Sequence, residues 1–207
     1  FSPDTVNNML FMNDSFETEV SEETYVYEGD TNIATYNSET YAYSYNNLRE
    51  SLTGNSNPHQ TIQNSFHFLN SHIGLDQRHI LFDYFPDENN SVFRSSMNGY
   101  FVFSDQIPTT MSVKYGQNAV YEYSRPLIRV TARVPGGEDQ TLPPLESVRY
   151  EIALNDNYDL QDVTNITIGY NMAFSTDQSE INVVQYTPSW YIKYDGEWMR
   201  FDEGGLE

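Results

Sequence analysis

The chain has 207 residues, with 30 acidic against 10 basic side chains (10 − 30 = −20) and no cysteine. Such a charge repels phosphate backbones and anionic lipid headgroups, which argues against nucleic-acid binding and direct docking on a bare anionic membrane, and the missing thiols exclude disulfides, thiolate metal sites and cysteine nucleophiles. Hydrophobic residues are only 38% of the chain, but 17 Tyr and 12 Phe stand among them, so aromatic rings must supply much of the core and strands are favoured.

Ser2-Pro3-Asp4 followed by Val6, Met9 and Leu10 predicts a short capped helix. No Lys or Arg precedes Arg49, whereas Asp4, Asp14, Glu17, Glu19, Glu22, Glu23, Glu28, Asp30 and Glu39 all do. This acidic run reads as a solvated face, or as a docking face for a basic partner. Thr24–Glu28, Asn32–Tyr36 and Thr40–Tyr45 then alternate with period two, as in Tyr41, Tyr43 and Tyr45, between turn signals. A three-stranded meander with one aromatic face is expected.

After Gly54–Pro58, the residues Ile62, Phe66, Leu69 and Ile73 fall on one helical face, with Asn57-Pro58 as cap and first turn and Gly74 as stop. Strands are predicted over Ile80–Phe85, Val92–Ser95, Tyr100–Phe103, Thr110–Tyr115 and Ala119–Val130. Pro135-Gly136-Gly137 through Pro143-Pro144 is the best internal boundary, giving domains over 1–134 and 144–207 with a linker at 135–143. Beyond it, Glu146–Leu154 reads as helix or strand. Ile166–Phe174, Ile181–Tyr186, Trp190–Tyr194 and Trp198–Phe201 read as strands, with Asp195-Gly196 as a tight hairpin turn. The class is α+β, antiparallel sheets each covered by helices.

The four histidines, His59, His67, His72 and His79, cluster around one helix. His67 and His72 stand about 140° apart on it, a poor geometry for sharing a metal, so helix-end or solvent-facing roles are expected. Asp156, Asp159 and Asp162 recur every third residue, but Gln161 and Thr167 stand where a calcium loop needs Gly and Glu. An acidic capped turn is expected there instead. No nucleophile elbow or serine triad can be singled out. No metal, cofactor or catalysis is expected. Nor does any stretch approach the ~18 apolar residues of a membrane-spanning helix. The chain starts at Phe1 without a signal peptide, and a preceding anchoring segment is expected.

Several segments resemble the YycH family. Phe66-His67-Phe68-Leu69-Asn70-Ser71-His72-Ile73-Gly74 is similar to its Phe-x-Phe-Leu-Asn-x-His-Gly-Gly helix end, departing at Ile73. Val92-Phe93-Arg94 with Asn98-Gly99-Tyr100-Phe101-Val102-Phe103 resembles its hairpin, with Phe101 where Pro is usual, and Glu122-Tyr123-Ser124-Arg125-Pro126 resembles its Glu-x-x-Arg-Pro strand. Ile168-Gly169-Tyr170-Asn171-Met172 and the stretch from Pro188-Ser189-Trp190-Tyr191 to Trp198 resemble its closing signature; the related YycI family shares the final Pro-x-Trp.

The resemblance implies two consecutive YycH/YycI-like domains, held outside the cytoplasm of a Gram-positive cell by an N-terminal transmembrane helix. It also implies contacts with a YycI-like protein and with the sensor histidine kinase WalK (YycG), whose output governs cell-wall metabolism. Candidate partner-binding residues are Trp190, Tyr191, Lys193, Tyr194 and Trp198 of the closing hairpin, and Glu17, Glu19, Glu22 and Glu23 of the acidic run. The alternative is a glycan- or ligand-binding module with an exposed aromatic platform.

Overall fold

A computed structural model describes residues 2–11, 16–52, 57–72, 79–128, 140–155, 158–175 and 183–201, with the side chains of 16–19 left out. The chain divides into two compact units, Phe1–Ser96 with Ser104–Ala132, and Met97–Phe103 with Arg133–Glu207. The α+β class holds.

In the first unit, helix α1 (Pro3–Leu10) starts as its sequence dictates, the Ser2 hydroxyl accepting from the Thr5 N–H at 3.3 Å. Strands β1 (Phe16–Glu19), β2 (Thr24–Glu28), β3 (Asn32–Asn37) and β4 (Ala42–Asn47) form an antiparallel meander. Helix α2 (Pro58–Ser71) follows, then β5 (His79–Phe85), a 3-10 turn Pro86–Glu88 and β6 (Asn90–Met97). Strands β8 (Thr110–Tyr115) and β9 (Val120–Pro126) complete the sheet, in the order β1-β2-β3-β4-β9-β8-β6 with β5 also on β6.

Strand register carries the aromatic pattern across this sheet. Tyr27, Ala34, Tyr45, Tyr123 and Val113 are successive cross-strand partners, and so are Tyr25, Tyr36, Tyr43 and Arg125 one row away. Both rows occupy one face, and it is the face that α1 and α2 cover with Val6 and Leu69. The other face carries Thr35, Ser44, Ser124 and Ser112 in one row. The split between a packed face and a polar one is what a half-solvated antiparallel sheet requires.

Helix α2 is turned relative to its predicted face. Thr61, Ser65 and Leu69 are buried, Ile62 is half-buried, and Phe66 is 48% exposed. Short side chains at 61 and 65 let the helix lie close to the sheet, and the Ser65 hydroxyl donates to the Thr61 carbonyl at 2.9 Å, so its burial leaves no orphan. Phe68 meets the edge of Tyr123 at 5.1 Å. Asn57 caps the start by accepting from His59 N–H at 3.0 Å; Ile73 and Gly74 lie outside the described residues.

In the second unit, β7 (Tyr100–Phe103), β10 (Val163–Phe174), β11 (Val184–Tyr194) and β12 (Glu197–Phe201) pair in that order. Helix α3 (Leu145–Leu154) covers one face through Val148 and Ile152. Three expectations are corrected here. The β7–β10 pair is parallel, with Gly169, Tyr170 and Asn171 opposite Phe101, Val102 and Phe103, so the sheet is not purely antiparallel. The chain enters β7 through the Asn98-Gly99 turn, whose positive φ values of 52° and 85° suit those two residues. That turn puts Met97–Phe103 in the second unit, so the units are not strictly consecutive in sequence. The strands predicted at Ile181–Tyr186 and Trp190–Tyr194 are one strand, because Pro188 is accommodated opposite Tyr170; residues 181 and 182 lie outside the described set. Among the described residues, no helix is long and apolar enough to cross a membrane.

Two phenols of the first core are held by hydrogen bonds. Tyr43 is 1% exposed and donates to Asn7 Oδ1 at 2.7 Å, while Tyr123 accepts from Arg125 Nη1 at 3.3 Å. Burial pushes the phenols of Tyr43, Tyr45 and Tyr123 above the ordinary tyrosine range. In the unfolded chain they ionise near pH 10, so above that pH the unfolded state sheds protons that the native state keeps. Stability is therefore fully present below about pH 10 and falls above it, by roughly 1.4 kcal/mol per pH unit for each such tyrosine. Tyr43→Phe should cost about 1–3 kcal/mol in urea unfolding at pH 7, because Asn7 stays buried without that donor, and should make the alkaline loss shallower.

Candidate functional site

The predicted contact residues of the closing hairpin are built on β11 and β12, joined by Asp195-Gly196, with Lys193 opposite Trp198 and Tyr191 opposite Arg200. Alternation along β11 splits the set between two faces. Trp190 and Tyr194 lie on the α3 side with Ile192. Trp190 is 9% exposed, its indole N–H donating to the Pro143 carbonyl at 3.0 Å, and Tyr194 stands edge-on to Tyr158 at 5.2 Å. Tyr191, Lys193 and Trp198 lie on the opposite face. There Tyr191, 3% exposed, stacks on Phe103 at 3.8 Å and 16°, and Trp198 tilts against the same ring at 5.7 Å. The hairpin thus does not present its five residues as one surface. Its rings pack the two sides of a sheet, and the aromatic-platform alternative loses Trp190 and Tyr191.

Gly169 makes this packing possible. A Cβ there would stand 2.7 Å from Phe103 Cε2 and 2.9 Å from the Phe101 carbonyl oxygen. Only a hydrogen leaves room for the parallel strand to bring Phe103 over β10 and onto Tyr191. Phe103 and Gly169 were missed as a pair because nothing in the spacing announces a parallel neighbour for β10.

The four acidic candidates belong to the first unit. Glu22 and Glu23 are exposed in the β1–β2 turn, where the Ser21 hydroxyl accepts from the N–H groups of Glu23 and Thr24 at 3.4 and 3.1 Å. Glu17 and Glu19 are the register partners of Tyr27 and Tyr25. Beside that turn, Tyr25 and Tyr36 stack at 6.3 Å and 27°, a half-buried ring pair that sequence reasoning had treated only as core. Burial, with the phenols of Tyr41 and Tyr25 nearby, raises the Tyr36 phenol.

Several polar groups elsewhere hold the fold together. Lys114 bridges Glu88 at 2.9 Å and Glu122 at 3.6 Å, and the hydrogen bond that its ammonium donates to Glu88 leads in raising its pKa. His72 ends α2, its Nδ1 2.9 Å from the Phe68 carbonyl and its ring stacked on Phe68 at 4.4 Å. Asp159 accepts from Gln161 N–H at 2.9 Å in an acidic turn; Asp156 lies outside the described residues. Among the described residues, no three His, Asp or Glu side chains are grouped to hold a metal ion.

Gly169→Ala should destabilise the second unit by about 1–3 kcal/mol, as overpacking of a filled site does. Its signature is a change in tryptophan emission, read in urea unfolding, as Phe103 is displaced from Tyr191 and Trp198. Phe103→Leu in the same chain should recover part of the loss, but not the part due to the Phe101 carbonyl.

The sequence profile of the YycH protein C-terminal domain matches residues 1–203. The crystal structure of YycH from Bacillus subtilis superimposes with a TM-score of 0.66 at 14% identity, over 84% of this chain and 43% of that one. The chain therefore spans less than half the length of that protein. The C-terminal domain of YpeB from Bacillus megaterium gives a TM-score of 0.43 at 12% identity, over 98% of this chain and 99% of that one, too loose a likeness to bear on the fold. No curated protein sequence matches. Profile and fold agree, and the chain belongs to the YycH family.

Proposed function

We propose that this chain is the non-catalytic, extracytoplasmic regulatory part of a YycH-type protein. It adjusts the output of a WalK (YycG)-type sensor histidine kinase controlling cell-wall metabolism in a Gram-positive cell. It does so through contacts with a YycI-like partner, and an N-terminal transmembrane helix outside this chain tethers it to the membrane. The observation that carries this reading is the family match over residues 1–203. The packing supports it. Trp190 and Tyr191, which might have lined a ligand platform, are inside the second unit, so the closing hairpin offers no broad aromatic platform.

A regulator of this kind needs no chemistry. It needs only a different affinity for the two states of the kinase, and a coupling of about 1–3 kcal/mol, roughly 5–150-fold, is enough. The formal charge of −20 makes steering of a basic partner a long-range effect. The chain mixed with the soluble ectodomain of a YycI-like protein should give a complex by titration calorimetry. Its association rate should fall as salt rises from about 10 mM to 150 mM, because the screening length shrinks from roughly 30 Å to 8 Å. Absence of any complex at both salt levels would contradict the proposal.

A further inference from the structure

We draw no further inference here: the strongest candidate, the outward face of helix α3, where Tyr150 and Leu154 stand one turn apart at 66% and 64% exposure, is an unpartnered apolar face, and nothing in the structure shows what covers it.

Discussion

The first unit depends on tyrosine being usable as a core residue. Burying a phenol costs least where its hydroxyl finds a partner, and for Tyr43 and Tyr123 register supplies one. Tyr43 sits opposite Arg125 and reaches Asn7 on α1, while Tyr123, two residues before Arg125, accepts from its guanidinium. Because side chains alternate with period two, a slip of one residue would carry the tyrosine rows to the polar face. The phenol partners and the apolar area therefore favour the same register.

The second unit solves a different problem with the same material. A parallel strand brought in through Asn98-Gly99 delivers Phe103 to the sheet face opposite α3, where Tyr191 and Trp198 receive it. That arrangement requires close approach of β7 to β10, and Gly169 provides it. Both faces of the second sheet thus carry aromatic packing, one under α3 and one around Phe103. This explains why a hairpin so rich in rings offers little free ring surface.

Local pattern was legible wherever neighbours in sequence decide the outcome. The caps of α1 and α2, the meander and the Asp195-Gly196 hairpin follow from turn chemistry and period two. The face of α2 was not legible, since Thr61 and Ser65 look polar in sequence and become inner residues only because small side chains suit close contact with a sheet. The parallel pairing of β7 was hidden for a similar reason. A strand of four residues carries no record of the strand it will join across 59 residues of intervening chain (104–162). For the site, the acidic bias of the first 48 residues was plain in the sequence, but the ring pair beside Glu22 and Glu23 emerged only once Tyr25 was placed opposite Tyr36.

The central claim is that the tyrosines divide into packed rings that hold the units together and a few surface rings free to make contacts. Nitration with tetranitromethane, followed by peptide mass spectrometry on the folded chain, tests this directly. Tyr150, 66% exposed, and Tyr100, 45% exposed, should be modified first, and Tyr43, Tyr123 and Tyr191 only after unfolding. Modification of Tyr43 or Tyr123 in the folded chain as fast as Tyr150 would contradict the account.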